Sequence, residues 1–401
     1  MMLISIGTIL NNLFKSCILI VWLISSPAFA NETTNINIGE SFYIDSKILG
    51  EKRQILVYLP QSYSQNQGRF PVLYLTDGET HFNHTSTTIN FLSSVGNAPE
   101  MIVVGVTNTD RTRDLTPTAS KESGRETAGG ADKFLKFFED ELIPNINKRY
   151  RTEPYKVFAG HSLGGLFAIN AYLTRPNVFN AYIAVSPSLW WDDGLLLKRA
   201  EQAFEKQMAK GTLFISVGNE RKGMMEPYHG FKAIMEKNTG PDLLFNSQSF
   251  QEENHNSIVL ISYYHGLKKV FSGWLLRPGV NLQQALDHYE ALTKRFGFTV
   301  TMPEQLANGI GYALGHQQKK FDEAVDWLRW NTRTYPASGK AFDRLCVALE
   351  MADKLVEAKA QCEEAIRVAK ASKDISLPDF QRTLARVSKK LGIPLESTTP
   401  R

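Results

Sequence analysis

Apolar runs rich in β-branched and aromatic residues alternate with segments of helical periodicity over residues 40–275. Such runs, where turn residues bound them, predict strands at 42–44, 55–59, 72–75, 101–106, 155–159, 181–185, 213–217 and 243–250. Apolar positions three or four residues apart predict helices at 131–147, 163–173 and 258–271. Strands that alternate with helices indicate a mostly parallel sheet covered on both faces, with its site beyond the carboxyl ends of the strands.

Beyond about residue 274 the apolar pattern is helical only, and it repeats itself. The segments 321–324 (FDEA) and 355–358 (LVEA) align at a spacing of 34 residues. That period, with small residues between paired helices, is typical of tetratricopeptide repeats. Two repeats are too few for a free array, so we expect them to pack on the preceding domain. The first predicted repeat spans about 304–337 and has one extra residue near 316–319. The second spans about 338–371, and a capping helix follows at about 379–390.

The N-terminal segment 1–30 has a different composition, with no acidic residue and Lys15 as its one cation. An apolar run at 17–24 is followed by Pro27 and then by Ala28-Phe29-Ala30. This arrangement predicts a secretory signal peptide that is cleaved after Ala30. An uncleaved membrane anchor is the alternative, but the apolar core is shorter than the ~20 residues that a membrane span needs. We therefore expect an exported protein, periplasmic or secreted, with no membrane anchor after cleavage.

Composition and charge add few constraints. The chain has 401 residues and a formal net charge of +4, and no cluster of Lys and Arg stands out, so nucleic-acid binding is not indicated. Cys346 and Cys362 remain after signal cleavage, and we interpret them as helix-packing residues whose pairing stays open, since export permits a disulfide. Two cysteines do not make a metal site, and we expect neither a metal nor a cofactor.

The candidate chemistry begins at Gly160-His161-Ser162-Leu163-Gly164, a G-x-S-x-G pattern. Alone, this pattern arises by chance in about one chain in ten of this length. Here a predicted strand enters it and a predicted helix leaves it, as a sharp strand-to-helix turn around a nucleophilic serine requires. The turn also needs small neighbours, which Ala159 and Gly165 supply together with the two glycines of the pattern. We interpret Ser162 as a nucleophile; a glycine-rich turn without chemistry is the alternative.

A serine hydroxyl needs a general base, and the chain order in this type of site is serine, acid, histidine. His255 lies in a polar loop after the last predicted strand and is the expected base, with His229 a weaker choice. Glu220 follows the strand at 213–217 and is the expected acid, which would orient the imidazole. Glu226 is the second choice for the acid. A solvent-exposed loop histidine and a surface carboxylate are the alternatives.

Two backbone N–H groups would be needed to stabilise the oxyanion of an acyl-transfer intermediate. The residue after the serine, Leu163, supplies one. The loop 75–79 follows the third strand, and there Gly78 lets the backbone approach a substrate while the Glu79 amide donates. An ordinary Asp-Gly turn is the alternative at this loop.

Two further loops are predicted to line a pocket. Trp190 and Trp191 follow the strand at 181–185, and we expect at least one ring to face the cleft and stack on an aromatic or sugar ring. Arg111 and Arg113 follow the strand at 101–106 and are candidates for contact with an anionic substrate. Ion pairs that fix their own loop are the alternative for both arginines.

Several segments together resemble one known family. They are, in chain order, VYLPQSY, PVLYLTDGETHF, the 111–117 loop, FAGHSLGGLFA, SPSLWW and the Asn254-His255 loop. They resemble the esterase D family of α/β-hydrolases over about residues 40–275, in its periplasmic IroE-like and Fes-like branch, which includes members with a C-terminal tetratricopeptide extension. The resemblance implies an α/β-hydrolase domain at 31–275 followed by an all-α domain at 276–401. It also implies the site residues Ser162, His255, Glu220, Glu79 and Leu163 in the roles given above.

These observations predict one function and leave three alternatives. We predict an exported serine esterase that hydrolyses a small-molecule carboxylic ester through an acyl-enzyme. Hydrolysis of a siderophore trilactone, or transfer of the acyl group to an alcohol, would use the same chemistry. A hypothesis of a different class is a binding protein that holds a protein or peptide partner at the helical repeats.

Overall fold

A computed structural model of the chain describes residues 37–119, 126–205, 210–240 and 243–393. The predicted signal peptide at 1–30 lies outside the described residues. The described residues from Gly39 onward belong to one unit by their contacts. Within the part that is described, no helix has both the length and the apolar character to cross a membrane.

Eight strands of the described chain form one sheet, in the order β1-β2-β4-β3-β5-β6-β7-β8. The pairs β1–β2 and β2–β4 are antiparallel, and the pairs from β4 through β3 to β8 are parallel. The mostly parallel sheet predicted from the sequence is therefore confirmed. The strands are β1 Glu40–Ser46, β2 Glu51–Tyr58, β3 Phe70–Leu75, β4 Ile102–Val106, β5 Thr152–His161, β6 Ala181–Val185, β7 Gly211–Val217 and β8 Leu243–Ser249.

Helices cover both faces of the sheet. Alternate residues of β3 show this, because Val72 and Tyr74 belong to one buried cluster while Leu73 and Leu75 belong to the other. The helices around the sheet are α1 Gly78–Ser94, α2 Arg111–Leu115, α3 Ala131–Phe137, α4 Ile143–Arg149, α5 Leu163–Thr174, α6 Trp191–Glu205, α7 Lys222–Lys237 and α8 Ile258–Val270.

The helix predicted at 131–147 is present but is not a regular α-helix. A π-helical turn, Phe138–Leu142, separates α3 from α4. Phe137 and Phe138 are both fully buried, although adjacent residues of a regular helix point about 100° apart. The extra residue that a π-helical turn inserts allows this run of phenylalanines to enter one core.

The C-terminal part consists of helices in sequence. They are α9 Leu282–Phe296, α10 Glu304–Tyr312, α11 Phe321–Thr334, α12 Gly339–Met351, α13 Leu355–Ser372 and α14 Leu377–Lys390. The span 304–337 contains the pair α10 and α11, and the span 338–371 contains most of the pair α12 and α13. A π-helical turn, Ala313–Gln317, follows α10 close to the extra residue noted in the sequence. The assignment of these pairs as tetratricopeptide repeats stays a prediction.

The C-terminal helices pack on the sheet domain. Phe296 of α9 has its ring centroid 5.1 Å from that of Tyr155 on β5 and 5.4 Å from that of Phe271. Arg295 Nη2 donates a hydrogen bond of 3.1 Å to the Val270 carbonyl. One buried apolar cluster runs from β3 and β5 through these rings to α13. The two parts of the chain therefore share a core.

Cys346 on α12 and Cys362 on α13 form a disulfide. Both residues are fully buried. The sequence left their pairing open, and the structure resolves it because the paired helices bring the two Cα atoms to 5.3 Å. The bond joins two helices of the repeat region, and its position in the core agrees with the packing role predicted for the two cysteines.

Candidate active site

Ser162 lies in the turn between β5 and α5, at the carboxyl end of a central strand. Its backbone has φ 59° and ψ −113°, a conformation that residues other than glycine rarely adopt. Hydrogen bonds hold it there: the Ser162 amide donates to the Val185 carbonyl at 2.9 Å, and its own carbonyl accepts from the Leu166 amide at 2.9 Å. The turn is sharp because the chain reverses from strand to helix at a single residue.

The small residues around the turn are required by close backbone contacts. A Cβ atom on Gly160 would lie 2.2 Å from the Gly164 carbonyl oxygen. A Cβ atom on Gly164 would lie 2.5 Å from Thr76 Oγ1. Both distances are far below van der Waals contact, so a larger residue would displace either the turn or the neighbouring loop after β3.

The structure brings Ser162, His255 and Glu220 together. His255, in the loop between β8 and α8, places Nε2 3.0 Å from Ser162 Oγ. Its Nδ1 lies 2.8 Å from Oε1 of Glu220, which follows β7. An ionised carboxylate only accepts hydrogen bonds, so Nδ1 carries the proton and Nε2 is left to accept from the serine hydroxyl. The imidazole is thus in the tautomer that can remove a proton from Ser162.

Burial differs along this series of three side chains. The Glu220 side chain is 6% exposed and that of His255 is 35% exposed. Ser186 Oγ donates a second hydrogen bond, of 2.8 Å, to the same Glu220 oxygen. The buried carboxylate is therefore held on two sides, whereas the imidazole edge remains open to solvent. The second-choice acid, Glu226, pairs instead with Lys222 on the surface of α7.

Leu163 and Glu79 lie at the starts of two helices. Leu163 is the first residue of α5 and Glu79 the second residue of α1, where backbone N–H groups lack partners within the helix. The helix starts are neighbours, since a Cβ on Gly164 would also lie 3.3 Å from Asp77 Oδ2. Two helix N-termini, each carrying partial positive charge, are thus adjacent beside Ser162.

Arg111 is hydrogen-bonded to residues around Ser162 instead of being free to bind a ligand. Its Nε and Nη2 donate to Asp77 Oδ1 and Oδ2 at 2.6 and 3.0 Å, and Nη2 also donates to the His161 carbonyl at 3.2 Å. Asn108 Nδ2 donates to Asp77 Oδ1 and Glu79 Oε1, both at 2.7 Å. These bonds tie the loop before α1 to the turn that carries Ser162.

Arg113 lies in a second network of ion pairs. It forms ion pairs with Glu51 at 2.8 Å and with Asp114 at 2.7 Å. Arg53, whose side chain is fully buried, pairs with Asp114 at 2.6 Å and also with Glu51. For both Arg111 and Arg113 the structure thus shows the ion pairs that the sequence left as the alternative to substrate contact.

The two adjacent tryptophans have different environments. Trp190 is 44% exposed, whereas Trp191 is 1% exposed and its Nε1 donates to Thr118 Oγ1 at 3.2 Å. Trp191 is therefore part of the core under the loop, and the Trp190 ring is the one open to a ligand. The chain then turns through positive φ at 192–194 before α6 continues.

Some residues of the site lie in loops that the sequence assigned to it but were not singled out individually. Ser188, which is 2% exposed, has its Oγ 3.3 Å from Ser162 Oγ. Ser186, Asp77 and Asn108 also contact the candidate residues, as described above. Their only sequence signal is their position directly after the predicted strands. No group of three or more His, Cys, Asp or Glu side chains in the described part of the chain is arranged to hold a metal ion.

Comparisons with known proteins show which family the chain belongs to. A family model described as "Putative esterase" matches residues 46–224. The crystal structure of an IroE-like serine hydrolase from Shewanella oneidensis is 33% identical, with a TM-score of 0.64 over 70% of this chain and 95% of that one. The chain belongs to this esterase family. The family resemblance and the α/β-hydrolase fold predicted from the sequence are both confirmed.

Two curated relatives of this chain are named for siderophores. Ferri-bacillibactin esterase BesA of Bacillus subtilis is 34% identical over 33% of this chain and 52% of the relative. The siderophore triacetylfusarinine C esterase of Aspergillus fumigatus is 33% identical over 42% of this chain and 61% of the relative. The matched segment therefore spans between about half and three fifths of these curated relatives.

Proposed function

We propose that the chain is an exported serine esterase that hydrolyses a small-molecule carboxylic ester through an acyl-enzyme. The observation that carries the proposal is the continuous hydrogen-bonded series from Ser162 through His255 to Glu220, with bonds of 3.0 and 2.8 Å. A nucleophile, a base within reach of it and a buried group that orients the base are the parts that covalent catalysis by serine needs. Membership of an esterase family favours an ester as the substrate.

The proposed reaction has two halves. In the first, Ser162 Oγ attacks the ester carbonyl carbon while its proton passes to His255 Nε2, and Glu220 stabilises the imidazolium. The negative oxygen that forms accepts hydrogen bonds from the Leu163 and Glu79 amides. The alcohol then leaves with the proton from His255. In the second half, water loses a proton to His255 and attacks the acyl carbon; the bond between Ser162 Oγ and the acyl group then breaks, His255 returns the proton to Ser162 Oγ, and the acid leaves.

A siderophore ester is the substrate class that we propose to test first. Two relatives are named as esterases of ferri-bacillibactin and of triacetylfusarinine C. In this chain the exposed face of Trp190 offers a stacking surface for an aromatic ring of a ligand. Arg111 and Arg113 are already held in ion pairs, so recognition by these two cations is not part of the proposal.

Export is the second component of the proposal. It rests on the signal-like pattern at 1–30 and on the Cys346–Cys362 disulfide. Disulfides persist in the periplasm and outside the cell, whereas the cytosol keeps thiols reduced. Detection of a mature protein that begins at Asn31 in the periplasmic or secreted fraction would test it, and a full-length chain in the cytosol would contradict it.

The esterase proposal is tested by replacing the nucleophile. We expect Ser162→Ala to lower hydrolysis of p-nitrophenyl butyrate at least ~1,000-fold and to abolish labelling by a fluorophosphonate probe, because it removes the hydroxyl that lies 3.0 Å from the proposed base. Ser41→Ala, an exposed serine on the edge strand β1, is the matched control and should keep wild-type rates. Activity that survives unchanged in Ser162→Ala would contradict the proposal.

An ester panel then defines the substrate. Short acyl esters, feruloyl esters and a trilactone siderophore are compared by kcat/KM with the wild-type protein. Products are analysed with and without an added alcohol, since transfer to the alcohol instead of water would give a new ester. A kcat/KM that is not higher for the trilactone than for the short acyl esters would contradict the siderophore assignment while leaving the esterase proposal intact.

A further inference from the structure

His161, the residue before the proposed nucleophile, connects three loops of the site. Its ring Nε2 donates a hydrogen bond of 2.7 Å to the main-chain carbonyl of His255. Its own carbonyl accepts a bond of 3.2 Å from Arg111 Nη2, which also holds Asp77. As the last residue of β5 it is covalently joined to Ser162. One residue thus contacts the segments that carry the nucleophile and the base, and through Arg111 it is connected to the loop before the Glu79 amide.

The loop that carries His255 is held by internal hydrogen bonds and by a main-chain bond of 2.7 Å from the Asn219 amide to the Glu253 carbonyl. The Asn254 amide donates to Ser257 Oγ at 3.0 Å, and Asn254 Oδ1 accepts from the Asn256 and Ser257 amides at 2.9 and 3.1 Å. The internal bonds fix the shape of the loop, and the bond from Asn219, which follows β7, ties it to the sheet two residues before His255. The His161 ring joins the loop to the end of β5 at the residue that carries the imidazole.

The chemical state of the His161 ring is set by this contact. A carbonyl oxygen only accepts, so Nε2 must carry the proton. His161 is 7% exposed, and burial, with the nearby His255 and His81 rings, lowers its pKa to about 3. The ring therefore stays neutral at the pH values at which esters are assayed. The groups that face it are His81, His255 and, across the loop, Asp77.

We infer that His161 is a positioning residue, which holds the His255 loop against β5 so that the imidazole stays within hydrogen-bond reach of Ser162. This inference rests on the proposed function, since it assigns the bond a purpose in that reaction. His161 does not touch the reacting atoms. It acts through the main chain of His255, and a displacement of about 1 Å at a base of this kind costs about 100-fold in rate.

A pair of amide substitutions tests the inference. In His161→Gln the amide nitrogen has a reach similar to that of Nε2, so it can donate to the same carbonyl; in His161→Asn it is one methylene short. We expect the Asn variant to lose about 100-fold in kcat with KM unchanged within about twofold, and the Gln variant to stay within about fivefold of wild type. His84→Asn is the control, because His84 lies beside His81 in the same cluster.

If His161 served only the stability of the fold, the Asn and Gln variants would have the same kcat, or their losses of kcat would follow their losses of melting temperature. Either result, or an Asn variant as active as wild type, would overturn the inference. Crystal structures test it without a substrate. The Ser162 Oγ–His255 Nε2 distance of 3.0 Å should be kept in wild type and His161→Gln and lengthen in His161→Asn. A wild-type protein inactive on every ester would overturn the proposed function, and the crystal structures would still decide the inference.

Discussion

One oxygen of Glu220 accepts two hydrogen bonds, from His255 Nδ1 and from Ser186 Oγ, each of 2.8 Å. With its side chain 6% exposed, this carboxylate has exchanged water for two fixed donors. Such an arrangement holds the imidazole in one tautomer and stabilises it when it becomes positively charged. The role proposed for Glu220 is therefore to orient and to balance charge, without taking part in proton transfer.

Glu220→Gln is expected to lower kcat about 1,000-fold or more, because the neutral amide removes the negative charge and can force the imidazole into the wrong tautomer. Steady-state kinetics on p-nitrophenyl butyrate measure the change, and KM should move little. Glu226→Gln is the matched control, since Glu226 pairs with Lys222 on the surface of α7. Equal activity of the two variants would contradict the role proposed for Glu220.

Trp190 offers a separate test of substrate recognition. Trp190 is 44% exposed and lies two residues after Ser188, which contacts Ser162, so a bound aromatic group can stack on its ring. We expect Trp190→Ala to raise KM for feruloyl or catecholate esters about fivefold to tenfold, which matches a stacking loss of about 1–1.5 kcal/mol. KM for p-nitrophenyl acetate should change less than twofold.

The control for Trp190 is Phe91→Ala. Phe91 is an aromatic residue on α1 that is 53% exposed, and its loss should leave both KM values unchanged. If Trp190→Ala raised KM equally for aromatic and acetyl esters, stacking on this ring would not explain recognition.

The residues that meet at the site were predictable to different degrees. Ser162, His255 and Glu220 could be found because each follows a recognisable strand, and the carboxyl ends of parallel strands meet at one edge of the sheet. The salt bridge between Asp77 and Arg111 could not be found in this way. An arginine after a strand looks the same in sequence whether it binds a ligand or a carboxylate 34 residues away, and only the folded structure distinguishes these cases.

Among the secondary-structure elements, the strands were easier to predict than one of the helices. Helix α1 carries the sequence GETHFNHTSTTINFLSS, in which Thr, Ser and Asn predominate. These residues have low intrinsic helix propensity because their side chains compete for backbone hydrogen bonds. Tertiary contacts outweigh this preference, since one side of α1 buries Phe82, Ile89 and Leu92 under the sheet. Sequence periodicity therefore located the loop before α1 but not the helix.

The contact between β2 and α2 depends on charge. Burial alone would raise the pKa of Glu51, but hydrogen bonds from Arg113 and Thr109 and the charge of Arg53 lower it to about 2. A carboxyl with a lowered pKa stabilises the fold above its unfolded pKa and loses that contribution as the pH falls to its folded pKa. The Glu51 contribution is thus complete above about pH 5 and is lost between about pH 4.5 and 2.

Glu51→Gln is therefore expected to lower the melting temperature at pH 7 by several degrees, roughly 2–4 °C per kcal/mol lost. At pH 3 the difference from wild type should be smaller, because the wild-type contribution is then partly lost. Calorimetry at both pH values measures the two differences. Glu201→Gln, an exposed position on α6, should leave the melting temperature unchanged, and a Glu51 effect that grew on acidification would contradict the assignment.

At the level of the whole molecule, the sequence pattern changes near residue 275 from strands that alternate with helices to helices alone. The two parts nevertheless share one buried core. Tyr155 of β5 packs against Phe296 of α9, and the apolar cluster continues from there to α13. Because two repeats are too few for a free array, the sequence predicted that they would pack on the preceding domain. It did not predict which residues would make the contact. Contacts between residues more than 100 positions apart leave no periodic signal in the chain, so the docking surface becomes visible only in the structure.

A shared core predicts shared unfolding, which Phe296→Ala tests. Phe296 is 4% exposed and contacts rings of both parts, so its truncation should cost about 3–5 kcal/mol. Because the sheet and the helices lose the same contacts, we expect one calorimetric transition, shifted downward, and loss of esterase activity at the same temperature. Ile375→Ala, at a site in the helical region that is 95% exposed, is the control and should change neither. Two separate transitions, with activity kept after the first, would show instead that the helices unfold independently of the sheet.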